Sequence, residues 1–132
     1  MSLVDAKRTR THAVHLKRAY DAVEDGDGYR VLVDRLWPRG LSKLDAHIDL
    51  WFKDIAPSPV LRTWFGHDPD RFVEFGRRYR AELAQRPQDI ERLREIVADK
   101  PATFVYAAKD PACNHALVLQ ALLTSKPGRK HG

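Results

Sequence analysis

Residues 31–43 read VLVDRLWPRGLSK. Val31, Leu32 and Val33 are apolar at consecutive positions, and with Tyr29 and Arg30 before them the run Tyr29–Asp34 is rich in the β-branched and aromatic types that suit a pleated surface. A strand with one solvated face alternates polar and apolar residues. A continuous apolar run instead predicts burial on both faces, as in parallel sheets. Ala102–Ala107 (ATFVYA) has the same character. Helical sequence lies between the two, which predicts a parallel pair joined by a helical crossover. The expected fold is therefore α/β: one small domain, a largely parallel sheet, and helices packed on it.

Working outward, His12–Arg18 (HAVHLKR) alternates Ala13, His15 and Lys17 against Val14 and Leu16, a period of two that fits a strand. Glu24–Gly28 (EDGDG) is a turn. Between Leu41 and Pro57, Ser42 is a helix-cap candidate, and Pro57 and Pro59 close any helix before them. Ser58 caps a short helix through Val60, Leu61, Trp64 and Phe65 that Gly66 stops. Asp68 and Pro69 make a helix start, as N-cap and first helical residue. Phe72, Phe75, Tyr79 and Leu83 then fall at helical spacing until Pro87. A further helix is expected from about Gln88 to Asp99, with Ile90, Leu93, Ile96 and Val97 on one side, closed by Lys100 and Pro101. Pro111 is expected to open the last helix, with Asp110 as its N-cap and Leu117, Val118, Ala121 and Leu122 inside it.

The chain has 132 residues, which suits one domain, and 43% of them are hydrophobic, enough for one core. Residues 12–124 are read as that domain, 1–11 as a loose basic arm and 125–132 as a frayed basic tail. No apolar run approaches the roughly 18 residues that a membrane span needs. The lone Cys113 rules out an internal disulfide and a cysteine-based zinc cage, and with no apolar export signal a cytoplasmic location is expected. The formal charge is +5, from 23 Lys and Arg against 18 Asp and Glu. Much of the excess sits at the ends, in Lys7, Arg8, Arg10, Lys17 and Arg18 and in Lys126, Arg129 and Lys130. A nearly balanced middle argues against nucleic acid as the partner of the folded body.

In open α/β sheets, ligands sit beyond the carboxyl ends of the strands. If the two apolar strands run parallel, their following loops share an edge, and Asp34–Gly40 faces Ala108–His115. The candidate ligand-binding residues are Arg35, Trp37, Arg39, Lys109, Asn114 and His67. The candidate catalytic residues are His115, Asp34 and Asp110. Guanidinium forks suit carboxylate or phosphate, a helix N-terminus favours an anion, and a histidine moves protons near neutral pH. The expectation is a pocket for an anionic small molecule in a domain whose residue types permit, without specifying, a small-molecule enzyme.

Each residue also has a quieter role. Asp110 and Asp68 serve as helix caps, Asp34–Arg39 or Asp110–Arg35 as ion pairs that fix loops, and Trp37, Trp51 and Trp64 as core. On that view the chain is a structural or interaction module, and a third view makes the basic termini bind nucleic acid. Cys113 precedes Asn114 and His115, but neighbours on a helix point apart, so no Cys–His dyad is implied. The histidines form no i,i+4 pair and no HExxH, and neither a P-loop nor GxGxxG occurs. No metal site and no cofactor are expected, and oligomeric state is not specified.

The segments LKRAYD (Leu16–Asp21), DGYRVLVDRLWPRGLSK (Asp27–Lys43), LWFKDIAPS (Leu50–Ser58), LRTWFGHDPDRFVEFGRRYRAEL (Leu61–Leu83) and FVYAAKDPACNHALVL (Phe104–Leu119) resemble the YeaO-like family of small uncharacterised bacterial proteins, a domain-of-unknown-function group. The resemblance implies a cytosolic α/β domain and supplies no reaction. More distant relatives are similar in an arginine-bearing loop and a Cys-His-Arg segment. Here that segment is Cys113, Asn114, His115, which lacks the final arginine and displaces the histidine.

Overall fold

Four strands form one all-parallel sheet in the order β1-β4-β2-β3. They are β1 (Val14–Arg18), β2 (Tyr29–Leu32), β3 (Leu50–Trp51) and β4 (Ala102–Tyr106). The computed structural model describes residues 14–124. The arm at 1–11 and the tail at 125–132 lie outside the described residues, as do His12, Ala13 and His131.

The two strands with continuous apolar sequence take the centre. β2 and β4 pair in parallel from Tyr29 opposite Ala102 to Leu32 opposite Val105. Val31, Leu32, Val33 and every residue of β4 are buried. β1 flanks β4, with Val14 buried and His15 exposed, so its alternation marks an edge strand with one wet face. β3 is the other edge. Leu50 and Trp51 carry no strand signal, because two residues are too few to display a period. Their place is set by the ladder: Asp49 N–H donates to Arg30 O at 2.9 Å and Phe52 N–H to Leu32 O at 2.9 Å.

Among the described residues there are five α-helices: α1 (Lys43–Ala46), α2 (Pro59–Phe65), α3 (Phe72–Ala84), α4 (Pro87–Asp99) and α5 (His115–Thr124). Between Leu41 and Pro57 the chain forms the single turn α1, capped by Ser42 and stopped by His47 in the left-handed region at φ 50°, then β3 and a 3-10 turn at Lys53–Ile55. Ser58 caps α2 and Gly66 ends it, as the sequence predicts. Asp68 caps a 3-10 turn, Pro69–Arg71, that leads into α3.

The last helix starts later than Pro111. Asn114, not Asp110, is its cap, since Asn114 Oδ1 accepts from Leu117 N–H at 3.0 Å while Asp110 Oδ1 accepts from Ala112 N–H at 2.8 Å in the preceding turn. Its buried residues are Ala116, Val118, Leu119 and Leu123, and Ala121 is exposed.

The two faces of the sheet are covered differently. Helices lie on one side, where Phe65, Phe75, Tyr79, Leu93, Val97 and Leu119 meet Val31, Val33 and Phe104. Each such large side chain contributes about 1.5–3 kcal/mol by leaving water. On the other side Leu32, Val105 and Ala19 are covered by Trp37, Leu41, Ile48 and Trp51, from the segments that follow β2. Trp37 meets Trp51 edge-on, with ring centroids 5.4 Å apart.

A charged network closes the N-terminal end of the central strands. Arg30, 2% exposed, donates to Asp27 Oδ2 at 2.6 Å and to the carbonyls of His47 and Ala46. Lys17 Nζ reaches Asp27 Oδ1 at 2.8 Å and Glu24 at 2.7 Å, and Thr103 Oγ1 donates to Asp27 O. The EDGDG turn is thus an anchor as well as a reversal.

Candidate functional site

The chain beyond β2 continues along the sheet, with Val33 N–H donating to Val105 O at 3.0 Å, and delivers Asp34 to the C-terminal edge. Three segments hold Asp34 there. Its carbonyl accepts from Trp51 Nε1 at 2.8 Å, its Oδ2 from Ala107 N–H at 2.9 Å, and its Oδ1 lies 3.1 Å from His115 Nε2. The expectation that the loops after β2 and β4 share one rim is met at this residue.

His115 is the first residue of α5, and its Nε2 also lies 3.0 Å from Val33 O. A carbonyl only accepts, so Nε2 carries the hydrogen and directs it at Val33. Asp34 Oδ1 therefore has a close neighbour but no hydrogen bond. The imidazole stands edge-on to Tyr79, with centroids 6.1 Å apart. Burial pushes the Tyr79 phenol far above its ordinary ionisation range, so it stays a donor, to Ile55 O at 2.6 Å.

A cavity of about 240 Å³ opens above this pair. Asp34, Asn114 and His115 form its polar floor. Phe65, Phe75, Ala56 and Pro57 form an apolar wall, with Phe65 stacked on Phe75 at 4.3 Å. Exposed Arg62 and half-buried Arg35 supply the positive groups, and exposed His67 joins them in the lining. Two buried polar atoms lack any hydrogen-bond partner among the described residues: Asp34 Oδ1 and Arg35 Nε. Both belong to residues that line this cavity.

The wall from α2 is fixed from behind. Ser58 N–H and Oγ–H donate to the two carboxylate oxygens of Glu82 on α3, at 2.8 and 2.5 Å, while Ser58 Oγ accepts from Leu61 N–H at 3.1 Å. Arg86 Nη1 donates to the carbonyls of Asp54 and Ala56. Arg71 donates to Trp64 O, and Arg78 lies over the Trp64 ring at 4.2 Å. After α2, Gly66 at φ 54° and His67 at φ 59° are two successive left-handed residues that swing His67 to the rim. Such a backbone costs a histidine about 1 kcal/mol or more, which is the kind of strain that collects at sites.

Of the residues marked in the sequence, Asp34, Arg35, His67, Asn114 and His115 line the cavity. Trp37 does not, because it belongs to the opposite face of the sheet and donates Nε1–H to Leu41 O at 2.6 Å. Arg39 and Lys109 are exposed and line no part of it, and Arg39 offers its carbonyl to Tyr20. Asp110 shapes the turn, accepting Ala112 N–H on its side chain and Asn114 Nδ2–H on its carbonyl.

Neither an Asp34–Arg39 nor an Asp110–Arg35 ion pair occurs; Asp34 faces His115 instead. The N-terminus of α5 is less open to an anion than expected, since Asn114 takes the Leu117 N–H. Cys113 packs against the main core, outside the lining. No group of three or more metal-ligating side chains occurs among the described residues.

Arg62, Ala56 and Pro57 were not marked, and Phe65 and Phe75 read as core, which they also are. A lone arginine on a short helix carries no local signal of what it faces.

A family profile described as "Inactive DUF488-N3 subclade" matches residues 13–131. The chain is 47% identical over 112 residues to "Uncharacterized protein YeaO" of Escherichia coli (strain K12), covering 85% of this chain and 97% of that protein. It is 41% identical over 117 residues to an uncharacterised protein of Mycobacterium tuberculosis (strain ATCC 25618 / H37Rv), covering 89% and 98%. No solved structure matches the chain significantly. Among the described residues no helix is long and apolar enough to cross a membrane. With a matching profile over most of its length and relatives that it spans almost end to end, the chain belongs to the YeaO-like family of uncharacterised bacterial proteins.

Proposed function

We propose that this protein binds a small anionic molecule in the cavity between the ends of β2 and β4, the start of α5, and α2. The observation that carries the reading is the orphaned buried donor Arg35 Nε, at a cavity that Arg62 also lines. Buried polar groups are nearly always satisfied, and those that are not call for a missing partner. Arg35, Arg62 and His67 meet the negative group. Asp34, Asn114 and His115 form the floor, where His115 Nε2 is committed to Val33 O.

Binding is favoured over catalysis. The lining holds an imidazole able to move a proton, but no hydroxyl, thiol or amine to act as a nucleophile. The family's own description, an inactive subclade, agrees. Trp37, Arg39, Lys109 and Asp110 have no part in the proposed site. Action in the cytoplasm on such a ligand, without nucleic acid or membrane, belongs to the same reading.

The test is thermal-shift screening of wild type and Arg35→Ala against phosphorylated and carboxylate metabolites. At least one compound should raise the melting temperature of wild type more than that of the variant. Identical responses to every compound would end the proposal. A structural module is the second reading, favoured by the hydrogen bonds that tie Asp34 to Trp51 and Ala107. On that view, changes at Asp34 lower the melting temperature and alter no ligand response.

A further inference from the structure

Resting on that reading, we infer that the ligand is a small monocarboxylate with a flat apolar body, close to benzoate in size. Three features of the cavity converge on this class.

Its volume comes first. The cavity of about 240 Å³ falls below the roughly 300–1,000 Å³ typical of drug-sized ligands and above the roughly 150 Å³ that encloses a benzene ring. A single ring with one polar substituent fits that interval.

The second is the lining. Phe65, Phe75, Ala56, Pro57, Ala107 and Ala108 put an aromatic and aliphatic surface beside the polar floor. A bare inorganic anion leaves that surface in contact with water. A ligand with an apolar body covers it, and each buried carbon contributes through the area withdrawn from solvent.

The third is charge and donor geometry. With the imidazoles counted as uncharged, Arg35 and Arg62 against Asp34 leave one net positive charge on the lining, which matches a monoanion. Phosphate sites draw on clusters of free main-chain N–H groups at a helix start. Here Asn114 occupies the Leu117 N–H, and no lysine lines the cavity. Guanidinium forks match a planar carboxylate with two parallel hydrogen bonds.

The experiment is saturation-transfer NMR and isothermal titration calorimetry on the full chain with four probes: benzoate, cyclohexanecarboxylate, benzamide and inorganic phosphate. Benzoate should bind with transfer strongest at its ring protons. Benzamide and phosphate should bind at least ten-fold more weakly, and cyclohexanecarboxylate in between. Arg62→Ala should weaken benzoate at least five-fold; Arg62 is exposed, so this variant folds even if Arg35→Ala does not. Tight binding of phosphate with none of benzoate would overturn this inference and leave the anion-binding reading standing. Equal binding of benzoate and benzamide, or unchanged affinity in both arginine variants, would overturn both; no binding of any probe would overturn this inference.

Discussion

His115 Nε2 lies 3.1 Å from Asp34 Oδ1, yet its hydrogen is directed at Val33 O, so the carboxylate oxygen is buried beside a donor that it does not share. The other oxygen, Oδ2, carries the structural duty by accepting from Ala107 N–H and tying the end of β2 to the end of β4. Asp34→Ala removes that acceptor and leaves a half-buried main-chain N–H unpaired. It should cost about 1–3 kcal/mol in urea unfolding. Asp34→Asn keeps an acceptor and should cost less than Asp34→Ala. A larger loss in the asparagine variant would contradict this division of labour.

At the opposite end of the sheet, Asp27 is held between Arg30 and Lys17. Burial pushes its carboxyl pKa up, but the hydrogen bonds from Lys17, from the main chain at Glu24 and from Arg30 outweigh this and leave it below the ordinary 3.8. A lowered pKa in the folded state means that the contribution is fully present above the ordinary value and is lost as pH falls through the folded value. Stability should therefore hold down to about pH 4 and decline below it, and Asp27→Asn should flatten that acid limb. Asp27→Ala strands the Arg30 guanidinium and should cost about 3–5 kcal/mol at neutral pH. Both outcomes are read from melts across pH 2–7.

The two glycines of EDGDG should behave oppositely. Gly28 has φ 66° and ψ −139°, and a Cβ there would stand 2.4 Å from Pro101 O. Nothing lies within 4 Å of a Cβ at Gly26. Gly28→Ala combines a backbone open mainly to glycine with a main-chain clash and should cost about 3 kcal/mol or more. Gly26→Ala should change stability by less than about 1 kcal/mol. Similar melting temperatures for the two variants would rule out the close approach at Pro101.

Glu82 holds α2 in place through both of its oxygens on Ser58. Glu82→Ala should cost about 1–2 kcal/mol. It should also weaken any benzoate response in calorimetry, because Arg62, Phe65 and His67 travel with α2. A loss of stability with unchanged affinity would show that the wall of the cavity does not depend on this tether.

Local chemistry determined much of this molecule. The apolar runs that became β2 and β4, the caps Ser42, Ser58 and Asp68, the stop at Gly66 and the breaks at Pro87 and Pro101 are legible because each acts within a few residues of itself. That Asp34 and His115 share a rim also follows from two parallel strands.

Tertiary structure alone decided which side chains enter the cavity. Arg35 and Trp37 are two residues apart in one loop, yet one lines the cavity and the other covers the opposite face of the sheet. Their directions depend on Trp51 bonding to Asp34 O and Ala107 to Asp34 Oδ2, contacts supplied by segments remote in the chain. Arg62 reaches the site because Glu82 holds Ser58, and β3 exists because Leu32 and Arg30 offer it a ladder. A residue's type sets what it can bond, but in a loop or on a two-residue strand only the neighbours brought by folding set where it points.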